Sequence, residues 1–119
     1  MEMSLQVEIL ERDKVFVVRL KGELDHHTAN DLRQTLGEKI ERHGFTHLIL
    51  NLRDLTFMDS SGLGVLMGRY KQISAKKGEM FVCSMNPTIY RILELAGLFK
   101  ILTVKETEEE VLASLGVTL

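Results

Sequence analysis

The stretch FMDSSGLG, residues 57–64, sets a carboxylate, two hydroxyls and two glycines side by side between two apolar runs. Three kinds of chemistry use such a set. A serine or aspartate oxygen can cap a helix by accepting a hydrogen bond from a backbone N–H that the first turn leaves unpaired. A serine can be a nucleophile, provided a base takes its proton. A serine can also receive a phosphoryl group, and a helix N-terminus favours the resulting anion. A second chemistry-bearing stretch, ELDHHT at 23–28, adds Glu23, Asp25, His26, His27 and Thr28.

The nucleophile reading lacks the G-x-S-x-G elbow, because Met58 and Asp59 stand before Ser60. Its base would have to be His26 or His27. A phosphate-cradling loop fits poorly too. The run GLGVLMG, residues 62–68, reads G-x-G-x-x-x-G, and the chain has no G-K-[ST]. Adjacent His26 and His27 should point apart on a regular backbone, and no C-x-x-C or H-x-x-x-H pattern accompanies them, so no metal site and no cofactor are expected. One serine, Ser60 or Ser61, is expected to cap the helix. Gly62 and Gly64 would leave a bare first turn open to a partner, Gly68 would let the helix pack tightly on a sheet, and Met58 would lie exposed on the rim.

Hydrophobic periodicity supplies the elements that hold these stretches. Leu5, Val7 and Ile9 alternate with polar residues, and VFVVRL at 15–20 follows after a short polar link, as in a β-hairpin. Thr28 with Asp31 resembles a capping box, and Ala29, Leu32, Leu36 and Ile40 then run at helical spacing to Gly44. HLILNL, 47–52, reads as a strand covered on both faces, followed by RDLTFMD as a loop. Leu63, Leu66, Met67, Tyr70 and Ile73 mark the buried stripe of the next helix. MFVC (80–83) is a strand, and Asn86–Pro87 opens a helix with Ile89, Ile92, Leu93 and Ala96 turned inward. ILTV (101–104) reads as a short last strand. Thr107 with Glu110 caps a final helix carrying Val111, Leu112 and Leu115, whose acidic first turn, Glu108–Glu110, suits the helix dipole.

The expected fold is α/β: a mixed β-sheet made of an N-terminal hairpin plus parallel βαβ units, with four helices packed on it, in one domain spanning 1–119. Loops after the carboxyl ends of parallel strands gather on one rim, which brings ELDHHT and FMDSSG together. A chain of 119 residues with 45% hydrophobic and 27% charged residues has enough apolar surface for a core. A net charge of −2 argues against nucleic acid as the main partner. No apolar run approaches the ~18 residues of a membrane span. The start MEMSLQVEIL lacks the basic and apolar regions of a signal peptide, and the single Cys83, read as a small core residue, suits a reducing compartment; a cytoplasmic protein is expected.

GELDHHTA (22–29), LILNLRDLTFMDSSGLGVLMGRYKQI (48–73) and GLFKI (97–101) closely resemble the anti-sigma factor antagonists of the STAS domain family, in particular those of sporulation. That resemblance implies a non-enzymatic partner switch. The unmodified protein would bind an anti-sigma factor that is also a serine kinase, releasing a sporulation sigma factor. Phosphorylation would separate the pair, and a serine phosphatase would reset it. The first serine of the D-S-S-G motif is the acceptor in the family, which matches Ser60. Asp25 of ELDHH matches the family's partner-contacting acid. His26, His27, Thr28, Asp59, Ser61, Gly62, Leu63 and Gly64 would lie at the same interface. A stress-response antagonist, a small-ligand or nucleotide-binding STAS module and a serine-dependent hydrolase are the alternatives left open.

Overall fold

A computed structural model describes residues 4–119. The reading of Met1–Met3 as part of a signal-free N-terminus lies outside the described residues. The chain runs β1 (Leu5–Arg12), β2 (Val15–Leu24), α1 (Ala29–His43), β3 (His47–Met58), α2 (Ser60–Ala75), β4 (Glu79–Cys83), α3 (Pro87–Leu95), a 3-10 turn at Leu98–Lys100, β5 (Thr103–Lys105) and α4 (Glu108–Leu115). The strands form one sheet in the order β1-β2-β3-β4-β5. β1 pairs antiparallel with β2, and the other neighbours pair parallel. The expected mixed sheet with four helices is therefore the fold.

Strand alternation divides the apolar side chains between two faces. Phe16, Val18, Leu20, Leu48, Leu50, Met80 and Val82 meet Leu32, Leu36 and Ile40 of α1, Val65, Leu66 and Ile73 of α2, and Ile89 and Leu93 of α3. Val15, Val17, Ile49, Phe81 and Cys83 face the other way, onto Val111 and Leu112 of α4. Cys83 is the core residue expected, and burial pushes its thiol up to about 11.

Several expectations are corrected. RDLTFM is strand, not loop, because β3 continues to Met58. Its pairing with β2 slips at two irregularities, between Arg19 and Lys21 and between Gly22 and Glu23. Each slip breaks the period of two, so Leu52, Leu55 and Met58 are all buried at a spacing of three. The inward stripe of α2 is Gly62, Val65, Leu66, Arg69 and Ile73, while Met67 is exposed and Leu63 and Tyr70 are half-buried. Ala96 is exposed rather than inward.

Glu108 does more than complement a dipole. It is buried, accepting hydrogen bonds from Arg19 Nε at 3.0 Å, Arg19 Nη2 at 2.6 Å and Asn51 Nδ2 at 3.0 Å. These bonds dock α4 on the sheet through β2 and β3. The Arg19 guanidinium, then Asn51, holds the Glu108 carboxyl below its ordinary value against the opposing effect of burial. Thr107 caps α4 as expected, its hydroxyl accepting from the Glu110 N–H at 3.1 Å.

Candidate functional site

β2 and β3 run parallel and end together, at Leu24 and Met58. The segments that follow, Asp25–Thr28 and Asp59–Ser60, therefore lie side by side on one rim of the sheet. The Asp59 N–H donates to the Leu24 carbonyl at 3.3 Å, joining the two chains where they leave the sheet.

The cap of α2 is Asp59, not a serine. Its Oδ1 accepts from the N–H of Ser61 at 2.9 Å and of Gly62 at 3.3 Å. Its Oδ2 accepts from the His26 N–H at 3.2 Å and lies 3.7 Å from His26 Nδ1. One carboxylate thus caps a helix and fastens the neighbouring loop to it. The serines are freed from that duty: neither hydroxyl makes a hydrogen bond to another of the described residues. Ser60 is exposed and Ser61 half-buried.

The Asp25–Thr28 loop is organised from within. Asp25 Oδ1 accepts from the N–H of His27 at 2.8 Å and of Thr28 at 3.2 Å, an Asx-type turn. The Thr28 hydroxyl donates to the Glu23 carbonyl at 2.8 Å and accepts from the Asp25 N–H at 3.0 Å. Thr28 stands at the N-cap of α1 without a side-chain capping bond, so the capping box with Asp31 does not form. Asp25 is only 7% exposed. The His27 N–H bond, aided by that of Thr28, holds its carboxyl below the ordinary value, burial opposing. Asp25 therefore shapes the loop more than it projects from it.

His26 and His27 are the exposed members. Their rings do not diverge: the centroids lie 3.9 Å apart. Among the described residues no three His, Cys, Asp or Glu side chains are grouped to hold a metal ion. An open cavity of about 350 Å³ lies beside them, lined by Glu23, Asp25, His26, His27, Phe57 and Asp59. Phe57 was not singled out from sequence, yet it is 45% exposed. Leu55 and Met58 face the core, and the ring between them faces out.

The glycines of α2 separate by role. A Cβ on Gly62 would stand 2.7 Å from Met58 Cγ, 2.8 Å from Leu24 Cγ and 2.9 Å from the Leu24 carbonyl oxygen. Gly62 is thus a packing residue that lets α2 start close against the β2 end. Met58, expected on the rim, is buried beneath it. A Cβ on Gly64 or Gly68 meets nothing within 4 Å. Gly64 is the outward glycine of the first turn, and Gly68 does not serve tight packing. Of the residues expected at one interface, Ser60, Gly64, His26 and His27 face outward. Asp25, Thr28 and Asp59 build the rim, while Gly62 and Leu63 turn towards the interior.

This sheet with a serine-bearing helix start defines the class. Residues 6–111 match the STAS domain, and the chain belongs to that family. It is 49% identical over 115 residues to the anti-sigma F factor antagonist of Paenibacillus polymyxa, covering 97% of this chain and 98% of that one. It is also similar to the solved anti-sigma factor antagonist SpoIIAA in its unphosphorylated form, with 32% identity, a TM-score of 0.74, and 94% and 97% of the two chains covered. The phosphorylated form of the Bacillus cell fate determinant SpoIIAA matches at 33% identity and a TM-score of 0.74, covering 94% and 99%.

Proposed function

We propose that the chain is an anti-sigma factor antagonist that binds an anti-sigma factor through this rim when unmodified, and that a phosphate on Ser60 switches the binding off. The observation that carries the reading is the state of Ser60. It is exposed in the first turn of α2 with a hydroxyl engaged by no other described residue, because Asp59 has taken over the cap.

Asp59 also decides how a phosphate would act. The N–H groups of Ser61 and Gly62 already bond its Oδ1. A phosphate on Ser60 would find the cap occupied by another anion, and its charge of about −1.5 to −2 would face outward. Like charges brought together at an interface cost several kcal/mol, and each ~1.4 kcal/mol is tenfold in affinity. The switch therefore works by charge at the contact surface, with the fold unchanged. The relative in Paenibacillus polymyxa is an anti-sigma F factor antagonist, which supports the antagonist reading; a sporulation role in the cytoplasm is part of the same proposal. The anti-sigma factor would itself be the serine kinase, and a serine phosphatase would restore the free hydroxyl. The chain then acts as a binding module, its partner supplying the chemistry. No helix of the described residues is long and apolar enough to cross a membrane.

Incubation with an anti-sigma kinase and ATP, read by intact-mass spectrometry, tests the acceptor. One phosphate on the wild type and none on Ser60→Ala is expected. Phosphate retained on the variant would move the site, and none on either would remove the kinase from the account.

A further inference from the structure

The GRYKQI segment, 68–73, carries an arginine where the inward stripe of α2 calls for an apolar side chain. Arg69 is 9% exposed. Its Nη1 donates to the Arg33 carbonyl of α1 at 3.1 Å, its Nε is buried without a partner, and no carboxylate of the described residues pairs with it. Burial, and then the like-charged Arg33, pull the guanidinium below its ordinary value. One turn along, Gln72 Nε2 donates to the Gly37 carbonyl at 3.2 Å and to Glu41 Oε1 at 3.0 Å. A Cβ on Gly37 would stand 3.6 Å from Gln72 Oε1 and 3.9 Å from Arg69 Cζ, so α1 offers a smooth seat at this point.

A guanidinium buried for one carbonyl bond is a poor source of stability, since apolar replacements of buried charged groups are often neutral or stabilising. Its return must be sought in geometry. Arg69 and Gln72 grip α1 at two carbonyls one helical turn apart, which sets both the rotation and the height of α1 against α2. α1 starts directly after the Asp25–Thr28 loop, and α2 starts at Ser60.

We propose that Arg69 is a positioning residue: by clamping α1 to α2 it sets where His26 and His27 stand relative to Ser60, and so shapes the partner-binding rim from a distance. This rests on the reading of the rim as the anti-sigma contact. Arg69→Met keeps an unbranched apolar stem and removes the donors. Arg69→Lys restores one donor, enough for the single carbonyl bond.

The test compares both variants with the wild type by amide NMR, thermal melting and calorimetric titration with a serine-kinase anti-sigma factor. Arg69→Met is expected to shift the amides of His26, His27 and Thr28, to weaken binding about tenfold or more, and to leave the melting temperature unchanged or raised. Arg69→Lys is expected to recover most of the binding. Unmoved loop amides in Arg69→Met would overturn the proposal. So would a lowered melting temperature with no rescue by lysine, which marks a merely structural residue. If the wild type binds no anti-sigma factor, the antagonist reading fails, and the amide comparison still decides the clamp.

Discussion

Gly62 and Gly64 stand two residues apart in one helix, and the same methyl group should act on them with opposite sign. At Gly62 the new Cβ would lie 2.7 Å from Met58 Cγ, 2.8 Å from Leu24 Cγ and 2.9 Å from the Leu24 carbonyl oxygen. Met58 can swing aside, but Leu24 is fully buried and its carbonyl holds the Asp59 N–H. Relief therefore requires a backbone shift of α2 against β2. Overpacking of this kind costs ~1–3 kcal/mol. The alanine gain in helix propensity returns at most ~0.8–1.0 kcal/mol, and less in a first turn. Gly62→Ala should lose about 1–2 kcal/mol. At Gly64 nothing lies within 4 Å, so Gly64→Ala keeps its gain, about 0.5–1 kcal/mol. The two variants should differ by about 2 kcal/mol. With a urea slope of ~1–3 kcal/mol/M, their unfolding midpoints separate by on the order of 1 M, read by circular dichroism with equal slopes. A Gly62→Ala protein as stable as the wild type, or a Gly64→Ala protein less stable, would refute the packing argument.

Asp59→Ala should cost about 1–2 kcal/mol through loss of the cap and also free the His26 amide, whereas Asp59→Asn, which keeps an acceptor, should cost a few tenths. Hydrogen exchange of the His26 amide checks the second effect: it should quicken in Asp59→Ala and stay slow in Asp59→Asn. Glu108→Gln should cost about 1–2 kcal/mol at neutral pH, since it removes the charge facing Arg19, which solvent partly screens and Glu8 still pairs. The folded-state carboxyls of Glu108 and Asp25 lie below their ordinary values of 4.5 and 3.8. Their stabilisation is thus complete above those values and is lost as pH falls through the depressed ones. Urea midpoints measured from neutral pH downward should fall in acid, and less steeply in Glu108→Gln; an equal slope would remove Glu108 from the acid transition.

The order of elements and the shared rim were legible because periodicity and topology are local and combinatorial properties. Leu32, Leu36 and Ile40 announce α1, and two parallel strands ending together place both loops on one side. What escaped depends on contacts across the fold. The second half of β3 was hidden because its bulges change the burial period from two to three, so Leu52, Leu55 and Met58 do not look like a strand. Ser60 and Ser61 looked like caps by residue type, but Asp59 is better placed, since its second oxygen can also reach His26. Thr28 failed as a capping box because its hydroxyl bonds to Glu23 and Asp25 instead. Glu108 and Arg69 were invisible as buried groups, because charge alone reads as surface and only the packed structure reveals their partners. Gly62 and Gly64 are identical in sequence logic, and only the position of Leu24 tells them apart.

The central claim is that one phosphate on Ser60 separates this protein from its partner without altering its fold. Calorimetric titration of a serine-kinase anti-sigma factor with the protein before and after phosphorylation tests it most directly. The account predicts binding by the unmodified protein and an affinity at least about tenfold lower for the phosphorylated form. Equal affinity of the two forms would contradict it.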